Sequence, residues 1–249
     1  MSEPLYVHEI FSSIQGEGLL AGRRQIFVRL TECNLDCRYC DTDFEKSAMC
    51  RLETKPGSAA FVDLLQPVSL SKMSAIFADW CSQLPGVHHS VSFTGGEPLL
   101  HADELAEWFP EIREYLPIHL ETNGTLHQAL RQVKQHLDYI SMDMKLPSTA
   151  SCSEPLWDLH ALFLREAYGS NVTVKVVVGE LTPDSEIMQV CDVISSVDAG
   201  LPLFLQPLSM PDGSVGISAT RILHLQELAS SRLPDVRVIP QMHKLLGAL

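Results

Sequence analysis

The fifteen residues IFVRLTECNLDCRYC (26–40) join an apolar run to a loop that carries Cys33, Cys37 and Cys40 within eight positions. The run reads as a buried strand, and the thiols follow at its carboxyl end. Thiolates are soft ligands that suit zinc or iron–sulfur clusters, and either needs deprotonated cysteines held close together. A structural zinc site is normally closed by four protein ligands in two separated pairs, and no second pair lies near this loop. His8, His88 and His89 are candidate fourth ligands, at spacings unlike a zinc module. A cubane cluster held by three cysteines keeps one iron open to another ligand, which makes the loop catalytic rather than structural. The bland alternative is three buried packing thiols. Their spacing, and the polar neighbours Asn34, Asp36 and Arg38, argue against it.

Outward from this loop, short β-branched runs alternate with helical-period segments, the pattern of a largely parallel sheet covered by helices. Strands are predicted near 26–31, 90–95, 118–123, 139–144, 172–178, 203–207 and 236–240. Helices are predicted over 71–84, 99–115, 126–136, 154–168, 184–196 and 218–231, most of them opened by Ser, Thr, Asp or a nearby Pro. Residues 43–70, with Pro56, Gly57 and Pro67, show no clean period and read as an inserted loop or short helix that covers something. In parallel α/β folds the carboxyl ends of the strands share one side, and sites are assembled there. CNLDCRYCDT, TGGEP, ETNGT, DMK and LQP each sit just past a predicted strand end, which points to a single active-site face.

Composition narrows the partners. The chain of 249 residues has 18 Lys and Arg against 31 Asp and Glu, a formal charge of −13 with no clustered basic stretch. Such a surface repels phosphate backbones, so a small-molecule substrate is expected and no nucleic acid. MSEPLYVHEI has neither a basic nor an apolar leader region, and no apolar run is long enough for a membrane span, so a cytoplasmic location and no membrane partner are expected. Seven cysteines, an odd number, without an export signal argue against a disulfide framework. Cys50, Cys81, Cys152 and Cys191 lack close spacing and read as packing thiols.

The remaining motifs have chemistry of their own. Gly95 and Gly96 leave backbone groups open to a ligand and Glu97 can accept from an amine, although such pairs are usually turns. Glu121 and Asn123 project from a strand end, though ETNGT also reads as an Asn-Gly turn. Asp143 and Lys145 offer an acceptor and a cation suited to ribose hydroxyls and a carboxylate, or else form a surface ion pair. Asp41 and Thr42 are hard oxygen groups fit for Mg²⁺, which keeps most of its waters, or for a capping turn. In SIQGEG (13–18), expected ahead of the first strand, the glycines admit a planar ring and Gln15 presents both donor and acceptor, as an aminopyrimidinone edge requires. A tight turn is the other reading. Arg29, inside an apolar strand, needs an anion, supplied by substrate or by Glu32.

The spacing Cys33-x3-Cys37-x2-Cys40, with Tyr39 before the last cysteine and TGGEP (94–98) one strand later, resembles the radical S-adenosylmethionine (SAM) superfamily. SIQGEG, FVRL (27–30), CDT (40–42), ETNGT (121–125), KLPS (145–148) and QMHK (241–244) together are similar to the 7-carboxy-7-deazaguanine synthase family, through nearly the whole chain. The resemblance implies a partial, open (β/α) barrel with a reduced helix complement, a single domain over 1–249 with the insertion at about 43–70. It implies a [4Fe–4S] cluster on Cys33, Cys37 and Cys40, whose open iron is chelated by the amino and carboxylate groups of SAM. Gly96 contacts the SAM amino group by this likeness, and Tyr39, Cys40, Asp41, Glu97, Glu121, Asn123, Asp143, Met144 and Lys145 complete that subsite. Related enzymes commonly have Ser at the position of Asp143. Thr42 is implied as the Mg²⁺ ligand. Ile14, Gln15 and Gly16 would read the pterin edge, Arg29 would pair with the substrate carboxylate, Thr94 would face substrate, and Gln206, Pro207 and His243 would wall the pocket.

The activity implied is that of a carbon–nitrogen lyase in queuosine and 7-deazapurine biosynthesis, a tRNA-modification route. It converts 6-carboxy-5,6,7,8-tetrahydropterin to 7-carboxy-7-deazaguanine with loss of ammonia, uses SAM catalytically, acts as a homodimer and draws electrons from a reductant such as flavodoxin. Two other readings remain: a glycyl-radical-activating enzyme acting on a protein partner, which shares the cysteine and GGEP logic but not SIQGEG or Arg29, and a non-catalytic iron–sulfur redox sensor.

Overall fold

The computed structural model describes residues 3–40, 45–150 and 154–248. Ten strands form one sheet: β1 (Val7–Ile14), β2 (Arg24–Leu30), β3 (Met49–Glu53), β4 (Phe61–Leu65), β5 (Ser90–Gly95), β6 (Ile118–Thr122), β7 (Tyr139–Asp143), β8 (Val172–Val178), β9 (Leu203–Pro207) and β10 (Val236–Val238). Their order is β10-β9-β8-β7-β6-β5-β2-β1-β3-β4. From β2 through β10 every pairing is parallel, which brings the carboxyl ends of these seven strands to one side. All seven are the strands expected from the apolar runs. The helices are α1 (Leu70–Gln83), α2 (Ala102–Ile112), α3 (His127–Val133), α4 (Pro147–Ala150), α5 (Trp157–Ala167), α6 (Asp184–Ser195), α7 (Ala219–Ser230) and α8 (Met242–Leu246). Six of them fall where the helical period predicts. Their starts follow local chemistry: Ser69 accepts from Lys72 N to cap α1, and Ser218 accepts from Arg221 N to cap α7. Helices alternate with the parallel strands and pack on the sheet as an open, partial (β/α) barrel.

Three strands depart from the expectation. SIQGEG does not precede the first strand; it begins inside β1 and follows it. β1 runs antiparallel to β2 and parallel to β3, so its backbone is paired on both sides despite a polar sequence. Residues 45–70 are not a loop or short helix. They contain the antiparallel hairpin β3–β4, which extends the sheet. Buried Glu53 organises its turn by accepting from Gly57 N at 2.9 Å and Ala59 N at 2.7 Å, and it also takes Ser12 N of β1 at 2.9 Å.

The core lies between the sheet and its helices. Trp108, Phe109, Phe77 and Phe93 are fully buried there, with Phe93 edge-on to Phe109 at 4.9 Å. Each contributes about 1.5–3 kcal/mol of burial. The opposite face of β2 and β5–β8 is polar and buried, with Gln25, Ser90, Ser92, His119 and Thr173. That face borders the cavity.

Candidate active site

The strand ends enclose a cavity of about 580 Å³. Cys33, Cys37, Tyr39, Cys40, Gly95 and Gly96 line it together with Ile14, Gln15, Gly16, Glu17, Phe27 and Arg29. Thr94, Glu121, Asn123, Asp143, Lys145, Lys175, Gln206 and His243 also line it, so strands far apart in the chain meet there as the parallel topology requires. Asp41 and Thr42 lie outside the described residues.

The thiol loop is held from two sides. Cys40 N donates to Cys37 O at 2.9 Å, and Arg38 N to Ala150 O at 3.1 Å. Asn34 joins the loop to the end of β6: its Nδ2 donates to Thr125 Oγ1 at 2.9 Å, and its Oδ1 accepts from Asn123 Nδ2 at 2.8 Å. Cys33 and Cys37 are half-buried and Cys40 is exposed, while burial pushes the Cys33 thiol up. Among the described residues no three Cys, His, Asp or Glu side chains converge on a single ion. The three thiols on the lining of one cavity are soft donors whose chemistry fits a [4Fe–4S] cluster.

The Gly pair serves packing before it serves a ligand. A Cβ on Gly96 would lie 1.7 Å from Glu32 O, and one on Gly95, at φ +117°, 2.4 Å from Leu30 O. Gly96 N itself donates to Leu30 O at 3.2 Å.

Several expected contacts are corrected. Glu97 is fully buried behind the cavity wall, where it accepts from Leu99 N at 3.1 Å, Thr122 Oγ1 at 2.8 Å and Asn123 N at 2.7 Å. Burial pushes its carboxyl up to about 7 despite these donors. The Glu97 side chain therefore ties the ETNGT corner together and is not part of the cavity lining. Met144 is likewise fully buried, and Pro207 ends β9 outside the lining, where Leu208 and Ser209 take its place. Arg29 donates through Nε to Glu9 Oε1 at 2.8 Å and lies over the Phe11 ring at 5.6 Å. Among the described residues the anion beside it is Glu9, and Glu32 pairs with Lys46 instead. The Gln15 side chain is not open to a ring edge: its Nε2 donates to Glu121 Oε1 at 2.5 Å and to Gln25, and its Oε1 accepts from Glu17 N. It orients Glu121, which also accepts from Ser92 at 3.1 Å and from Thr94 Oγ1 at 2.9 Å. The Asn123 amide is occupied by Asn34 and Thr125.

Other expectations meet in the cavity. Asp143 Oδ2 is 2.9 Å from Lys145 Nζ, and Lys145 donates to the Tyr39 hydroxyl at 3.0 Å. Against the burial that would raise it, the ammonium groups of Lys145 and Lys175 hold the Asp143 carboxyl down at about 2. His243, on α8, sits directly over Gly16, where a Cβ would lie 1.9 Å from its Nδ1. Glu9, Glu17, Arg51, Ser141, Lys175 and Gln241 line the cavity without having been singled out. Lys175 carried a legible signal: a cation in the middle of VTVKVVV needs an anion for the same reason as Arg29.

Comparison with known proteins agrees with this geometry. The Radical SAM superfamily profile matches residues 28–177. The chain is 47% identical over 251 residues to the 7-carboxy-7-deazaguanine synthase of Geobacter sulfurreducens, covering 100% of both chains. It is 36% identical to that of Methanothermobacter thermautotrophicus, covering 96% of each. The fold resembles the crystal structure of QueE from Escherichia coli, with a TM-score of 0.61 at 20% identity over 95% of this chain and 93% of that one. It also resembles a radical SAM methyltransferase from Sphaerobacter thermophilus, with a TM-score of 0.58 at 13% identity over 88% and 70%. A three-thiol loop at a strand end, set in an open partial barrel whose whole length aligns with these enzymes, has one reading: the chain belongs to the radical SAM superfamily and, within it, to the 7-carboxy-7-deazaguanine synthase family.

Proposed function

We propose that the protein converts 6-carboxy-5,6,7,8-tetrahydropterin to 7-carboxy-7-deazaguanine and ammonia, with SAM regenerated in each turnover. The observation that carries this reading is the full-length likeness to the Geobacter sulfurreducens enzyme, joined to a cavity of about 580 Å³ lined by the three thiols and by polar and charged side chains. Cys33, Cys37 and Cys40 would hold a [4Fe–4S] cluster, which when bound would supply the electron for reductive cleavage of SAM. The chain's own residues bind, orient and exclude water. Lys145, anchored by Asp143, presents an ammonium for the SAM carboxylate. Arg29 offers a planar donor fork to the substrate carboxylate beside Glu9. Glu121 and Glu17, both lining the cavity, are the acceptors suited to the amine and ring N–H groups of the pterin. The Phe11 and Phe27 rings, stacked 5.0 Å apart, give that end an apolar floor. Thr42 would hold Mg²⁺ together with substrate oxygens, because one hydroxyl cannot offset dehydration of the dication.

The protein works as one domain, as a homodimer in the cytoplasm, with a reductant such as flavodoxin. The test is anaerobic reconstitution followed by incubation with the pterin, SAM and reductant. Equal amounts of 7-carboxy-7-deazaguanine and ammonia, with SAM recovered, are expected. SAM cleavage without the deazaguanine would overturn the substrate assignment.

A further inference from the structure

Four charged side chains form an unbroken line across the cavity. Glu17 Oε2 and Lys175 Nζ are 2.5 Å apart, and Lys175 Nζ lies 2.9 Å from Asp143 Oδ2. The same Asp143 oxygen is 2.9 Å from Lys145 Nζ, which reaches the Tyr39 hydroxyl at 3.0 Å. Gln206 and Gln241 hold the other Glu17 oxygen at 3.2 and 2.6 Å. The line begins in the SIQGEG loop and ends between Cys37 and Cys40. Its charges alternate in sign, and none of the four side chains is more than 18% exposed. In such surroundings each ion's position depends on its neighbours, because an unpaired buried charge costs several kcal/mol.

Asp143 is the shared point. Both lysines bond to its Oδ2, while Oδ1 is buried and has no partner among the described residues. Two cations therefore compete for one oxygen. A closer hold of Lys175 on Asp143 loosens the hold of Asp143 on Lys145. Lys175, in turn, is divided between Asp143 and Glu17.

We propose that Lys175 is a positioning residue that couples the pterin end of the cavity to the SAM end. The inference rests on the substrate reading given above. Amine and ring N–H donors arriving at Glu17 weaken its demand for Lys175. Lys175 then shifts its bond toward Asp143, and Lys145 is released toward the SAM carboxylate. Pterin thus tightens SAM, and by reciprocity SAM tightens pterin by the same factor.

The test measures SAM affinity by anaerobic equilibrium dialysis of the cluster-loaded, oxidised protein, which cannot turn over, with and without saturating 6-carboxytetrahydropterin. In the unaltered protein the pterin should tighten SAM by at least about fivefold. Lys175→Met should bring that ratio to about one, and Lys175→Arg should retain part of it. Should Lys175→Met fail to fold, Glu17→Gln carries the same expectation, since a neutral amide holds the ammonium weakly in either state. A ratio that survives Lys175→Met or Glu17→Gln overturns the coupling. So does an unaltered protein that converts the pterin with no linkage, which leaves the substrate reading standing. A protein that neither binds nor converts the pterin overturns both.

Discussion

Glu97 shows how one side chain can sit in the right motif and do a different job. Three donors converge on its two oxygens in a fully buried position. An amide there would turn an NH₂ toward at least one N–H or O–H. Glu97→Gln should therefore cost about 1–3 kcal/mol in urea unfolding. Loss of SAM affinity with unchanged stability would instead make it a ligand contact. Two buried histidines set an acid limit. Burial holds His88 and His160 down at about 4, against an ordinary 6.5. Between those values the unfolded chain binds protons that the folded chain refuses. Their contribution is intact above the upper value and is lost as pH falls through the window, by roughly 1.4 kcal/mol per pH unit for each ring. Glu97, held up at about 7, takes up a proton in the folded chain over the same range and offsets one ring. Urea midpoints should still fall between about pH 6.5 and about pH 4.5; a rising profile would mean that both rings charge within the fold. Arg29→Ala should raise the pterin KM roughly 10- to 100-fold while sparing SAM cleavage without substrate. An unchanged KM would make Arg29 purely the partner of Glu9. That Cys33, Cys37 and Cys40 share one cavity was legible, because eight positions of one loop keep them together. The Arg29–Glu9 pairing was not, because it needs the register of two strands, with Glu9 opposite Arg29 across β1 and β2.

At the level of elements, the parallel strands were legible because buried strands are continuously apolar, and the helices because Ser, Thr, Asp or Pro opens most of them. β1 and the β3–β4 hairpin were not. β1 carries His8 and Glu9 toward the cavity and buries Ser12 and Ser13, so its pattern alternates on neither period. The hairpin sits at the sheet edge, where Val62 and Leu65 of β4 are exposed. α8 closes over SIQGEG: Met242 N donates to Gly16 O at 3.0 Å. With a Cβ, Gly16 would collide with His243, backbone nitrogen included. Gly16→Ala should therefore lift α8, which limited proteolysis would register as faster cleavage within 240–248. Unchanged cleavage would mean that the loop yields and the helix stays.

For the molecule as a whole, the sheet explains why residues distant in the chain share one cavity: the parallel strands end on the same side, and β1, antiparallel to β2, brings Gln15 in beside Gln25 near the start of β2. The formal charge of −13 agrees with a small-molecule enzyme, and no described helix is long and apolar enough to cross a membrane. What remained illegible at this scale was the Glu17–Lys175–Asp143–Lys145 line, which joins the turn after β1 to the middle of β8 and the end of β7 and appears only when β7 and β8 are placed side by side. The central claim is that three thiols leave one coordination position open for SAM. The direct measurement is metal and sulfide analysis of anaerobically purified protein, combined with detection of 5′-deoxyadenosine after reduction in the presence of SAM. The account predicts about four irons and four sulfides per chain, with 5′-deoxyadenosine formed by the unaltered protein and absent after Cys37→Ala. Zinc in place of iron, or intact SAM beside a fully reduced cluster, would contradict it.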